Sequence, residues 1–276
     1  MKEIKLTKIL FAGEGGQGIQ TIAEALALAA SNQGFKATYI PSFGVEQRGT
    51  PSVAYVILGD SEILYPRFEI ADVSVVLSDR AIDKIAGNLS LNTEIIFDSS
   101  TIDSKSFKNI SQKLFALPAT KYAKEKFNIK SYNVIMFGAL IKHLELDKKY
   151  AWESISTILA HKFTDKSIEK INNEAFDYGS EIIFENRDFS EPIYKPRLGA
   201  NIYKSHGKIA TILPKYCKGC LICVLKCPVH ALRAGEYLGV FSTPVPEIDL
   251  EKCIACGNCR KFCPDGAIGV DKINKK

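Results

Sequence analysis

Short β-branched apolar runs alternate with longer stretches of helical period along the first part of the chain. "KLTKILFAG" reads as a strand ending in a glycine turn, and "GIQTIAEALALAASNQG" follows as an Ala-rich amphipathic helix closed by Gly34. "KATYIPS" and "SVAYVIL" read as strands flanking the loop "FGVEQRGTP", Phe43 to Pro51. "VSVVLS" (Val73 to Ser78) and "EIIFDS" (Glu94 to Ser99) have the uninterrupted apolar character of buried strands, and "KLFALPA" reads as one more. From about Ala119 to Phe184 the period becomes helical, with Trp152 on the apolar side of its helix. Alternation of this kind predicts an α/β domain over residues 1–185, Rossmann-like, with a mostly parallel sheet and a helical tail. Over residues 186–210 the periodicity is lost among prolines and glycines, which predicts a linker, although Tyr194, Leu198, Ile202 and Tyr203 keep some apolar surface there. Residues 211–276 change abruptly in composition and predict a second, small α+β domain.

The chain has 276 residues and 46% hydrophobic content, enough for one substantial domain and a small one. Its longest apolar run, "VIMFGALI", is too short to span a bilayer, and "MKEIKLTKILFAG" lacks the features of a secretory signal. A cytoplasmic protein without a membrane partner is expected. The formal net charge of +5 first suggests a nucleic-acid partner, but the charge is not spread evenly. All eight cysteines lie between Cys217 and Cys263, and residues 211–276 carry ten Lys and Arg against six Asp and Glu. Two oxidised four-iron clusters held by eight thiolates cancel that excess, so no nucleic-acid partner is expected.

The strongest pattern is a repeat. "CKGCLICVLKCP" (Cys217 to Pro228) and "CIACGNCRKFCP" (Cys253 to Pro264) share the spacing C-x2-C-x2-C-x3-C-P at an offset of 36 residues. Three thiolates two residues apart wrap one cubane, and the fourth, after a longer step, ligates the other; this is the arrangement of bacterial-type two-cluster ferredoxins. Cys217, Cys220, Cys223 and Cys263 are thereby assigned to one 4Fe-4S cluster, and Cys227, Cys253, Cys256 and Cys259 to the other. Gly219, Ala255 and Gly257 suit a backbone bent tightly around sulfide, and Pro228 and Pro264 turn the chain after each fourth ligand. A zinc site calls for four ligands closed locally, and disulfides call for an oxidising compartment; the pattern favours neither.

Within "FAGEGGQGIQ", Gly13, Gly15 and Gly18 fit G-x-G-x-x-G, the pattern of a dinucleotide-binding turn. Such a turn requires an acidic residue ending the next strand, to hold the ribose. "KATYIPS" has none, and Glu46 already lies in the following loop. Gly13, Gly15, Gly16, Gln17 and Gly18 still free several N–H groups at a helix start, which is either a place for a phosphate or carboxylate or a tight turn without a ligand.

Taken together, "AGEGGQGI" with "PSFGVEQRGTPSVAYVILGDSEILYP" resembles the gamma subunit of 2-oxoacid:ferredoxin oxidoreductases, and "PEIDLEKCIACGNCRKFCPDGAI" resembles their delta subunit, a two-cluster ferredoxin. The resemblance covers Ile4 to about Leu146 and again Thr211 to Val270, so the chain resembles a gamma–delta fusion. It implies a subunit of an enzyme converting a 2-oxoacid, CoA and oxidised ferredoxin to acyl-CoA, carbon dioxide and reduced ferredoxin. Thiamine diphosphate and Mg are expected on alpha and beta partner subunits, because no G-D-G stands at thiamine-motif spacing from a paired Asn here. This chain is then expected to contribute no catalytic residue and to relay electrons through its two clusters to an external ferredoxin or flavodoxin. The resemblance also implies that Gly13 to Gly18, with Gln47 and Arg48, face CoA or a partner subunit. Two other readings stay open: a nicotinamide- or flavin-linked electron-transfer protein, and a scaffold docking a ferredoxin onto another oxidoreductase. His143, His161, His206 and His230 show no acid or nucleophile at useful spacing, and which 2-oxoacid is used is not written in this chain.

Overall fold

In a computed structural model the described residues are 5–42, 51–107, 113–160, 166–184, 199–239 and 243–273. They fall into two compact units, Met1–Ile193 and Tyr194–Lys276.

The first unit is built on six strands: β1 (Thr7–Glu14), β2 (Lys36–Ser42), β3 (Pro51–Gly59), β4 (Val73–Val76), β5 (Glu94–Asp98) and β6 (Lys113–Leu117). They lie in the order β2-β3-β1-β4-β5-β6. From β1 to β6 the pairings are parallel, whereas β3 runs antiparallel to both β1 and β2. The sheet is therefore mixed. The helix α1 (Ile19–Asn32) carries the chain from β1 to β2, and β3 then inserts between those two strands. Nothing local in "SVAYVIL" distinguishes that insertion from a parallel neighbour, because a strand buried on both faces reads as a continuous apolar run either way.

Residues of β3 alternate between the faces. Ala54, Val56 and Leu58 join Ile9, Phe11, Val75 and Ile96 under α1 and the helical tail. Val53, Tyr55 and Ile57 join Leu10, Ala12, Val76 and Phe97 on the opposite face, with Phe68 and Phe107. That second face also receives the single-turn helix α2 (Ile82–Ile85).

The tail comprises α3 (Ala119–Lys126), α4 (Tyr132–His143), α5 (Lys148–Leu159) and α6 (Lys166–Glu181). Helix α4 is buried nearly all round, from Tyr132 to Ile141. It meets α6 backbone to backbone at Gly138 and Gly179, where an added methyl would stand 2.3 Å from Phe176 O or 2.1 Å from Ile135 O. Trp152 packs partly buried on Phe176. His143, for which the sequence shows no acid at useful spacing, bonds through Nε2 to Glu94 Oε2 at 2.7 Å, across 49 residues. No helix among the described residues is long and apolar enough to cross a membrane.

In the second unit β7 (Asn201–Ser205), β8 (Lys208–Ile212) and β11 (Ile268–Lys272) form one antiparallel sheet, and β9 (Leu232–Leu238) with β10 (Pro244–Ile248) forms another. Two single-turn helices, α7 (Ile222–Leu225) and α8 (Asn258–Lys261), complete it. The stretch 186–210, which the lost periodicity reads as linker, thus contains all of β7 and the start of β8. Five-residue strands joined at His206–Gly207 are too short, and β7 too exposed, to leave a period-2 signature.

Candidate functional site

The glycine turn is filled by its own chain. Gly13 is the next-to-last residue of β1, and Gly18, in the left-handed region (φ 78), precedes α1 as its N-cap. Between them Gln17 folds inward and is 1% exposed. Its Oε1 accepts the Glu14 N–H at 2.8 Å, its Nε2 donates to Leu77 O at 3.0 Å, and its carbonyl accepts the Tyr132 hydroxyl at 3.4 Å. A methyl on Gly13 would stand 2.7 Å from Gln17 Oε1, so this glycine is needed for space rather than for a bend. Gly15 is half-buried and Gly16 exposed. Gln47 and Arg48 lie outside the described residues.

Beside the turn is a buried acid that the motif reading leaves as a spacer. Glu14 is 1% exposed; Ser78 Oγ donates to its Oε1 at 2.8 Å and Arg80 Nη1 to its Oε2 at 3.2 Å. Burial pushes its carboxyl up from the ordinary value, against the pull of Ser78 and Arg80. A carboxylate here opposes the anionic pyrophosphate that a dinucleotide would bring to this turn. On the strand that should end in the ribose-binding acid, Tyr39 donates to Gln20 Oε1 at 2.8 Å, and Gln20 donates to Ser52 Oγ at 2.8 Å. Further along the same strand ends, Asp98 closes β5 fully buried, accepting from Thr120 Oγ1 at 2.5 Å, Thr120 N at 3.1 Å and Ser100 N at 3.0 Å. Burial raises the Asp98 carboxyl, and burial with the nearby Asp98 and Glu14 raises the Tyr132 phenol. Glu14, Ser78, Arg80, Asp98 and Tyr132 were not singled out from the sequence; of these only Glu14, an acid inside the glycine stretch, stands within a motif that the sequence shows.

The second unit carries the cysteines. One cavity is lined by Cys217, Cys220, Cys223 and Cys263, together with Lys218, Leu221, Asp265 and Ile268. Another is lined by Cys227, Cys253, Cys256 and Cys259, with Val229, Ile254, Asn258 and Val270. Each cavity thus takes three cysteines from one repeat and the fourth from the other.

Backbone geometry repeats with the sequence. Gly219 and Ala255 are both left-handed, as are Leu221 and Gly257, and His230 and Gly266, each pair 36 residues apart. Such a conformation is costly for Leu221 and Ala255. It turns N–H groups toward sulfur: Ala255 N–H approaches Cys253 Sγ at 3.4 Å, Ala231 N–H approaches Cys227 Sγ at 3.2 Å, and Ala267 N–H approaches Cys263 Sγ at 3.3 Å. Burial pushes the Cys223 thiol up to about 12 and raises Cys217 and Cys259 as well, so deprotonation here is tied to a positive partner. Four thiols lining one cavity, amide donors aimed at sulfur and an otherwise largely apolar lining are the chemistry an iron–sulfur cluster requires. Among the described residues no three His, Cys, Asp or Glu side chains converge as ligands for a single metal ion.

Comparison with known proteins agrees with this division. Residues 8–182 match the family described as pyruvate ferredoxin/flavodoxin oxidoreductase, and residues 216–267 match the 4Fe-4S dicluster domain. The 2-oxoglutarate synthase subunit KorC of Methanothermobacter marburgensis is 32% identical over 192 residues, covering 65% of this chain and 98% of KorC. The ketoisovalerate oxidoreductase subunit VorA of Methanothermobacter thermautotrophicus is 29% identical, covering 67% of this chain but 38% of VorA. This chain therefore spans less than two fifths of the VorA relatives it matches. Among solved structures, the gamma subunit of a keto/oxoacid ferredoxin oxidoreductase from Geobacter sulfurreducens shares the fold, with TM-score 0.54, 24% identity, and coverage of 64% of this chain and 95% of that one.

Proposed function

Because the chain belongs to the pyruvate ferredoxin/flavodoxin oxidoreductase family and carries a 4Fe-4S dicluster domain, we propose that it is the gamma–delta electron-transfer subunit of a CoA-acylating 2-oxoacid:ferredoxin oxidoreductase. In that reaction a 2-oxoacid, CoA and oxidised ferredoxin yield acyl-CoA, carbon dioxide and reduced ferredoxin. Thiamine diphosphate and Mg belong to alpha and beta partner subunits, and this chain acts in the cytoplasm. The observation that carries the reading is the pair of cavities, each lined by four cysteines drawn from both repeats, in the same chain as a gamma-family unit. Cys217, Cys220, Cys223 and Cys263 hold one cluster; Cys227, Cys253, Cys256 and Cys259 hold the other. The clusters supply one-electron storage at low potential. The polypeptide fixes the thiolates, shields them with Leu232, Val245, Ile268 and Val270, and directs amide N–H groups at sulfur.

Residues 1–185 then dock on the thiamine-binding partners. Gly15 and Gly16, the more open part of the turn, together with Gln47 and Arg48, face CoA or a partner subunit. A nicotinamide or flavin reading is disfavoured by the buried Glu14 carboxylate and by the Tyr39–Gln20–Ser52 network. Relatives named for 2-oxoglutarate, pyruvate and ketoisovalerate match this chain at similar identity, which fits substrate selection on a partner chain. Anaerobic purification of the native complex, followed by ferredoxin or dye reduction with a panel of 2-oxoacids and CoA, tests the proposal. CoA-dependent reduction with at least one 2-oxoacid is expected. Purification without thiamine-binding partners, or no reduction with any 2-oxoacid, overturns it.

A further inference from the structure

The two halves of the cysteine module repeat in sequence but not in charge. Lys208, half-buried on β8, donates through Nζ to Leu250 O at 2.8 Å and to Cys253 O at 2.5 Å. Cys253 belongs to the set that includes Cys227, Cys256 and Cys259. The position 36 residues after Lys208 is Pro244, which has no side-chain donor, so the other set lacks an equivalent ammonium from the repeat.

Around that other set the lining charges cancel. Lys218 and Asp265 both line its cavity and pair at 3.5 Å, each side chain mostly buried. Their repeat counterparts, Ile254 and Val229, line the cavity of the Cys253 set and carry no charge. Asn258 also lines that cavity, with its amide directed to Lys226 O at 3.5 Å. Charges flanking the Cys253 set in sequence, Lys226, Arg260, Lys261 and Lys252 against Asp249 and Glu251, are all exposed and therefore strongly screened, and Arg233 on β9 is paired with Glu247. Lys208, by contrast, is half-buried.

We propose that Lys208 makes the cluster held by Cys227, Cys253, Cys256 and Cys259 the more readily reduced of the two. The proposal rests on the reading that each cysteine set holds a four-iron cluster. Reduction adds one negative charge to a cluster, and a nearby uncancelled cation in a poorly solvated setting stabilises it more than a cancelled pair does. Lys208 is thus a positioning residue with an electrostatic effect: it ties β8 to the loop before the first ligand and leaves its charge there.

The test is a potentiometric titration of the full-length chain, purified anaerobically and followed by electron paramagnetic resonance, with iron and sulfide measured on each sample. Two reduction waves are expected in the unaltered chain. Lys208→Gln is expected to move the higher wave to lower potential and leave the lower one in place, while Lys208→Arg keeps both. Unmoved waves in Lys208→Gln, or an equal shift in Lys208→Arg, overturn the role of the charge. If Lys208→Gln loses iron, Asp265→Val decides: freeing Lys218 is expected to raise the lower wave and narrow the separation, and an unchanged separation overturns the proposal. An unaltered chain holding well under about eight irons overturns the cluster reading itself, and is recognised by the metal analysis before any titration.

Discussion

The Ala231 N–H points at the Cys227 sulfur at 3.2 Å, and 36 residues later Ala267 repeats the relationship with Cys263 at 3.3 Å. Each fourth cysteine is therefore held by its own repeat while its side chain lines the cavity of the other. Cross-repeat loss of signal is the expected consequence. Cys227→Ala and Cys256→Ala should abolish the same paramagnetic signal, and Cys220→Ala and Cys263→Ala the other, with iron falling by about half in each. Signals that group by repeat, Cys220 with Cys227, would contradict the assignment.

Gly138 and Gly179 bring α4 and α6 into backbone contact, so Gly138→Ala inserts a methyl where Phe176 O stands 2.3 Å away. Helix propensity favours Ala by about 1 kcal/mol, but overpacking against a carbonyl costs about 1–3 kcal/mol and there is no flexible side chain to yield. A net loss is expected. Trp152, the single tryptophan, packs on Phe176 beside this crossing, so its fluorescence during denaturant unfolding measures the change directly.

Most strands of the first unit were legible because each is a short apolar run between turn residues, and such runs need no partner to be recognised. Their order was not, since β3 lies between β2 and β1 through pairings that no local period encodes. The same limit applies to the sites. The glycine turn is visible in sequence, but what closes it comes from Leu77 and Ser78, about sixty residues on. His143 finds Glu94 across 49 residues, and Lys208 finds Cys253 across 45. The cysteine pattern stands out because its ligands are grouped in two short runs. Strands β7 and β8 escaped notice because five partly exposed residues bury too little to impose a pattern.

Gln17 holds the glycine turn through two buried hydrogen bonds, to the Glu14 N–H and to Leu77 O. Gln17→Ala leaves both partners unsatisfied, at about 1–3 kcal/mol each, and opens space beneath Gly13. A lowered unfolding midpoint by Trp152 fluorescence is expected. Gly16→Ala meets open space, but φ +100 strains any β-carbon there, so a loss of about 1–3 kcal/mol is expected from the backbone alone. If the turn faces CoA in the assembled enzyme, Arg48→Ala should raise the CoA KM; an unchanged KM in an intact complex leaves the turn with a structural role alone.

Glu94 joins β5 to β6 through Lys113 Nζ at 2.9 Å and to the helical tail through His143 Nε2 at 2.7 Å. Burial opposes its charge, but the hydrogen bonds from Lys113 and His143 outweigh burial and hold the carboxyl below its ordinary value of 4.5. A carboxyl depressed in the folded state contributes stability that is fully present above its unfolded value and is lost as pH falls through the folded one. Acid weakening of the first unit should therefore carry a component that sets in below about pH 4.5 and disappears in Glu94→Gln. Replacing the acid also costs stability at neutral pH, by up to about 1 kcal/mol, because all three side chains remain partly in solvent. Denaturant midpoints read by Trp152 fluorescence at pH 7 and again below pH 4.5 separate the two effects. A variant whose acid limb parallels that of the unaltered chain would show that Glu94 does not link the tail to the sheet in this way.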